Sequence, residues 1–322
     1  MLTEFGFIEN LRAKYGFQKI GDDCAVLPKN AKTDTVVTTD LLVEDIDFRL
    51  DWTTPELIGQ KALAVSLSDV AAMGAKPVWS MISVGVPERR WRSDFLSGFY
   101  RGWHRLAKKF DVELVGGDVS RTPDRIVVDS IVAGEVKKGR AVLRSGARPG
   151  DQIFVSGALG GAAAGLRLLE QGVRIETAAS WQKRLLERQL TPTPRVADGI
   201  ELASNRIPSA MIDLSDGLSS DLAHLCRESG VGARIFADRI PFHPKLKAFT
   251  RSFDERLALA LDGGEDFELL YTVAPKKILG LQKQARKSSF GSLGEITANA
   301  GIIELINGDK TLILEPGGFR HF

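Results

Sequence analysis

The chain has 322 residues, a formal net charge of +2, two cysteines and four histidines. At roughly 150 residues per domain this length suggests two domains, and the near balance of scattered charge argues against nucleic acid or a membrane surface as partner. Cysteines without CxxC or Cys/His spacing argue against a disulfide scaffold or a structural zinc site and suit a reducing cytoplasm, and no segment approaches the ~18 apolar residues of a membrane span.

In chain order, Ile8, Leu11 and Tyr15 recur at helical spacing. Gly21-Asp22-Asp23 precedes a short apolar strand at 24–27, and segments 35–42 and 78–86, rich in Val, Ile and Thr, read as further strands. Between the latter two, Thr54 can cap and Pro55 open a helix that runs to Gly74. A second helix is expected over about 91–109, then strands at 112–115 and 126–136. The stretch 137–150, rich in Lys, Arg and Gly, marks a boundary between units 1–139 and 140–322. The second unit opens with a strand at 152–156. Glycines at 157, 160, 161 and 165 then lead into a helix; they lack the Gly-Lys-Ser/Thr ending of a P-loop and the GxGxxG spacing, so close helix-to-strand packing is their expected use. Helices between 181 and 203, a strand at 210–212 and a hairpin turning on Asn307-Gly308 complete an α/β (α+β) pattern in two layered domains.

Acidic residues stand at the edges of these apolar segments: Asp22-Asp23, Asp40, Asp69, Asp118, Asp213 with Asp216, and Glu265-Asp266 with Glu268. A carboxylate beside a buried element is costly to ionise unless a cation or donor meets it. Many carboxylates flanked by glycines are what a nucleoside triphosphate bound through Mg²⁺ requires, so phosphoryl transfer is the expected chemistry. Asp69 lies in the nearly all-apolar run 62–72, which places it in a buried helix and in need of a partner. Thr38, Thr39 and Asp40 are hard oxygen donors at a strand end, or simply a polar strand end. Gly116-Gly117-Asp118 could present N–H groups to phosphate and a carboxylate to a metal, or form a plain turn. Asp213-Leu214-Ser215-Asp216-Gly217 leaves a strand and enters a helix whose N-terminus suits metal-bound phosphate; capping alone would explain Asp216 or Ser219 but not Asp213 as well. Arg144 could neutralise triphosphate charge or stay solvated in its basic linker. The four histidines have no metal-ligand spacing and read as surface or packing residues.

Taken in order, GDDCAVLP (21–28), TTDLLVE (38–44), KALAVSLSDVAAMGAKP (61–77), GGD (116–118), RSGARPGD (144–151), IDLSDGL (212–218) and GGEDFEL (263–269) closely resemble the thiamine-monophosphate kinase family over almost the whole chain. The resemblance implies an aminoimidazole-ribonucleotide-synthetase-like fold with an N-terminal sheet that pairs in a homodimer and a C-terminal α/β domain. It also implies ATP as co-substrate and several Mg²⁺ ions. Asp23, Thr38, Thr39, Asp40, Asp69, Asp118, Asp213 and Asp216 are implied as metal ligands, with Asp69 and Asp216 carrying catalysis. Gly117, Asp118, Arg144 and Ser215 are implied as ATP contacts, and Asp47, Glu265 and Phe319 as substrate contacts. Asp47 departs from the family's usual histidine, which leaves the contact made there open. The implied reaction is direct in-line transfer of the ATP γ-phosphoryl group to thiamine monophosphate in the cytoplasm. The alternatives are another ATP-using enzyme of the same superfamily or a non-catalytic nucleotide- or divalent-cation-binding protein.

Overall fold

A computed structural model describes residues 4–17, 19–91, 93–284 and 291–318. The β-branched runs of the first half pair into one five-stranded sheet, with β1 (Ala25–Pro28), β2 (Thr33–Val43), β3 (Lys76–Val86), β4 (Glu113–Arg121) and β5 (Val127–Lys137) in the order β1-β2-β5-β3-β4. Only β3 and β4 run parallel. The second half forms a seven-stranded sheet from β6 (Gln152–Val155), β7 (Pro208–Asp213), β8 (Gly232–Phe236), β9 (Leu269–Val273), β10 (Gly294–Thr297), β11 (Ile303–Asn307) and β12 (Lys310–Ile313), in the order β12-β11-β8-β10-β6-β9-β7. Residues 138–151 join the sheets without helix or strand.

The helix Pro55–Ala72 connects the two halves. Thr54 caps it, its hydroxyl accepting from the Leu57 N–H at 3.4 Å, and Pro55 fits the first turn, where no amide donor is needed. It is buried nearly all round, with Leu63, Leu67 and Val70 fully enclosed, because it packs on the first sheet, on β7 and on the helices Phe95–Phe110 and Val196–Ser204. Contact with Phe95–Phe110 is backbone to backbone: a Cβ at Gly59 would fall 1.9 Å from the Phe99 carbonyl oxygen, and one at Gly102 would fall 1.8 Å from that of Glu56. The second helix contributes Phe95, Phe99, Trp103 and Leu106 along one face, a helical period.

Three local expectations shift. The helix expected over 91–109 breaks into Glu88–Trp91 and Phe95–Phe110. The hairpin turns on Gly308-Asp309, because Asn307 still pairs with Lys310. Strand β4 continues through Gly116-Gly117-Asp118, so this triplet is edge strand and not a turn; a Cβ at Gly117 (φ +151°) would lie 2.0 Å from the Ile82 carbonyl oxygen of β3. Every residue of β4 is exposed, and Leu41 and Met81 also stand exposed on the first sheet. Among the described residues no helix is long and apolar enough to cross a membrane.

Candidate active site

Carboxylates from three distant stretches of chain meet where the two halves touch. Asp23 precedes β1, Asp69 lies in the last turn and a half of the buried helix, and Asp213 ends β7, yet each places an oxygen within 4.8 Å of the other two. The surrounding hydroxyls are aimed at this group. Ser68 donates to Asp213 Oδ2 at 2.6 Å, Thr38 to Asp69 Oδ2 at 2.5 Å, and Ser66 to Asp40 Oδ2 at 2.6 Å. Arg144 is drawn in from the linker and pairs with Asp23 Oδ1 at 2.7 Å, its side chain only 16% exposed, so the solvated reading of this arginine is overturned. Asp23 Oδ2 is buried with no hydrogen-bond partner.

Such crowding has an electrostatic signature. Burial, then the charges of Asp40, Asp213 and Asp23, raise the Asp69 pKa well above the carboxylate range. Burial and the charge of Asp23 bring Asp213 up to about 8, and burial brings Asp40 up to about 6 despite the Ser66 hydrogen bond. Burial alone would lower the Arg144 pKa, but its bond to Asp23 and the nearby charges raise it. A buried oxygen without a donor, inside a set of hard oxygen ligands, fits a divalent cation such as Mg²⁺.

Beside this group opens a cavity of about 670 Å³. Its lining includes the oxygens of Asp40, Asp47, Ser215, Asp216 and Glu265 and the apolar side chains of Phe48, Trp52, Leu57, Leu166, Leu169 and Leu259. Asp47 closes its own turn, its carboxylate accepting from the Val43 N–H at 2.7 Å. Glu265 sits in the left-handed region (φ +66°), its N–H bonded to the Ser215 carbonyl at 2.8 Å, and its carboxylate takes the Lys61 ammonium at 2.6 Å and the Gln189 amide.

Other expected site residues lie elsewhere. Strand alternation turns Thr38 and Asp40 toward the buried helix and Thr39 to the opposite face, where its exposed hydroxyl donates to Asp129 at 2.6 Å; that hydroxyl does not join the triad. Gly117 and Asp118 sit on edge strand β4, with β5 and β3 between it and β2, and line a shallow depression away from the large cavity. Phe319 lies outside the described residues. Asp266 and Glu268, prominent in the sequence, are engaged internally. Asp266 accepts from the Gly160 and Ala162 N–H groups at the start of the helix Gly161–Glu170, while Glu268 is held by Ser156, Arg188 and Arg195.

Sequence reasoning missed Asp221 and His224. Asp216 does not cap the helix Leu218–Ser229; the Asp221 carboxylate reaches back to accept from the Asp216 and Gly217 N–H groups. Asp216, Asp221 and His224 place ligand atoms within 4.8 Å of one another, and burial first, then Arg227, brings the His224 pKa down to about 3, leaving a neutral imidazole. The spacing of Asp221 and His224, one helical turn apart, was the available signal.

Residues 21–136 match the family described as AIR synthase related protein, N-terminal domain, and residues 148–303 match AIR synthase related protein, C-terminal domain. The chain is 37% identical to the thiamine-monophosphate kinase of Bacillus subtilis (strain 168) over 306 residues, covering 94% of this chain and 93% of that one. It is 36% identical to the enzyme of the same name from Escherichia coli (strain K12) over 307 residues, covering 94% and 91%. The chain belongs to the thiamine-monophosphate kinase family. A solved structure of AaThiL complexed with AMPPCP and TMP matches with a TM-score of 0.86 at 33% identity, covering 100% of this chain and 97% of that one. Hydrogenase maturation protein HypE, at 18% identity and a TM-score of 0.70 over 91% of each chain, shares the fold alone. Within the thiamine-monophosphate kinase family, the two sheets described above are the two AIR-synthase-related domains.

Proposed function

We propose that this chain transfers the γ-phosphoryl group of ATP directly to thiamine monophosphate, giving thiamine diphosphate and ADP. The observation that carries the reading is the convergence of Asp23, Asp69 and Asp213 on one point beside a cavity lined by both acidic and apolar side chains. Asp40, Ser215 and Asp216 suit phosphates bound through cations, and the aromatic side chains of Trp52 and Phe48 suit an aromatic heterocycle. Solved AaThiL, complexed with AMPPCP and TMP, supports both ligands.

A phosphate monoester loses its second proton at about pH 6, so at neutral pH the acceptor oxygen is already nucleophilic and needs no general base. Positioning and neutralisation of charge must then supply catalysis, with no phosphoenzyme. Asp23, Asp69 and Asp213, with Thr38, Asp40 and Asp216 beside them, would hold Mg²⁺, which when bound neutralises and aligns the phosphates. Arg144, held at the triad by Asp23, would meet phosphate oxygens bound there. Residues 1–139 supply the first sheet and most carboxylates, and residues 140–322 supply Asp213, Ser215, Asp216 and Glu265.

We assign a homodimer built on the first sheet. The exposed edge strand β4, with Leu114, Val115 and Val119, and the exposed Leu41 and Met81 support pairing with a second copy. Gly117 and Asp118, remote from the cavity of their own chain, would serve ATP across that interface. The buried free thiols of Cys24 and Cys226 support a reducing cytoplasm as the site of action.

Incubation of the purified protein with ATP, Mg²⁺ and either thiamine or its monophosphate, followed by chromatographic identification of products, tests the reading. Thiamine diphosphate and ADP are expected from the monophosphate and no phosphorylation from thiamine. Phosphorylation of free thiamine alone would overturn the acceptor, and ATP binding without ADP formation would leave a non-catalytic binder.

A further inference from the structure

Lys61 is a buried cation in a helix that is otherwise built for packing. It lies one turn from Ile58 and Val65 on the face of Pro55–Ala72 that lines the large cavity, and its side chain is 6% exposed. The ammonium meets Glu265 Oε1 at 2.6 Å and donates to the Asp47 carbonyl oxygen at 3.3 Å. Three segments are thereby joined: the buried helix, the turn after β2, and the Gly263-Gly264-Glu265 loop of the second half. Glu265 is fixed from its other sides as well, through its left-handed backbone, its N–H bond to Ser215 and the Gln189 amide.

A buried ion pair adds little stability over apolar residues of equal volume, yet removal of one partner strands the other. Replacing Lys61 and Glu265 together by apolar residues would cost the fold little, so the cation marks a task beyond holding the fold. That task lies at the cavity wall, since both of its partners, Asp47 and Glu265, line the cavity. We propose that Lys61 is a positioning residue for the acceptor. By fixing the Glu265 carboxylate and the Asp47 turn at one separation, it shapes the wall against which the acceptor's nitrogen heterocycle rests, and it acts through Glu265. This rests on the acceptor being thiamine monophosphate. The thiazolium cation and the aminopyrimidine N–H donors of that molecule are groups a positioned carboxylate recognises.

The test compares Lys61→Met, Glu265→Gln and the double variant by steady-state kinetics, varying each substrate in turn, and by calorimetric binding of thiamine monophosphate. Lys61→Met should raise both the KM and the dissociation constant for thiamine monophosphate at least tenfold, about 1.4 kcal/mol, while the KM for ATP stays within about twofold. The double variant should be no worse than the more impaired single variant. An unchanged acceptor KM, an equal rise for both substrates, or additive losses in the double variant would overturn the proposal. Should Lys61→Met fail to fold, Glu265→Gln alone must show the acceptor-specific rise. Wild-type protein that neither binds nor phosphorylates thiamine monophosphate would instead bring down the functional reading, and the proposal with it.

Discussion

Asparagine at position 213 should make the metal-free protein more stable at alkaline pH while damaging its activity. Asp213 is 2% exposed and has a pKa of about 8, raised from 3.8 by burial first and then by Asp23. The folded chain therefore keeps a proton that the unfolded chain releases anywhere above about pH 4. The stabilisation from that proton is present at low pH and is lost as pH rises through about 8. At about 1.4 kcal/mol per pH unit, less the part already titrated, the loss between pH 6 and pH 8 is roughly 2 kcal/mol. In the presence of a chelator the wild-type melting temperature should fall by roughly 3 °C across that interval. Asp213→Asn removes that titration, and its side-chain carbonyl can still accept from Ser68, so its melting temperature should fall less, the remaining slope coming from Asp69, whose pKa burial also raises. Mg²⁺ at pH 8 should restore the wild type, because a bound cation replaces the missing proton, and should do little for the variant. Calorimetry over a pH series with and without Mg²⁺ reads all of this. A wild-type melting temperature flat from pH 6 to 8 without metal, or an identical slope in Asp213→Asn, would refute the idea of three carboxylates confined together.

Asp69→Asn keeps the Thr38 hydrogen bond but removes a charge from the centre of the triad, so turnover should fall by about 10² or more and the Mg²⁺ concentration for half-maximal rate should rise; an unchanged rate across a Mg²⁺ titration would contradict the assignment. Glu268→Ala removes a buried carboxylate that Arg188 and Arg195 share, leaving them the more distant Asp266 and Asp198 carboxylates at 3.7 and 3.9 Å, and should cost about 3 kcal/mol in urea denaturation, and a loss below about 1 kcal/mol would show that this pairing is not buried in solution.

Much of the architecture was legible because it is local. The Thr54-Pro55 start and the nearly apolar run 62–72 announce a capped, buried helix, and the Val- and Thr-rich runs announce β2, β3 and β5. Asp69 was legible for the same reason, since a carboxylate in such a run must meet a partner. What the sequence hides is which partner. Glu268 and Asp213 look alike along the chain, each an acid at the end of an apolar segment. One is neutralised by arginines more than seventy residues away and the other faces two more carboxylates. The difference lies in contacts across the fold, which no local pattern encodes. Thr39 is a different case, because strand alternation alone separates its side chain from those of Thr38 and Asp40. Lys61 combines the two. A lysine in a buried helix could be read by the argument that singled out Asp69, but its partner Glu265 stands some two hundred residues later, so the pair becomes visible only when the second half folds against the first.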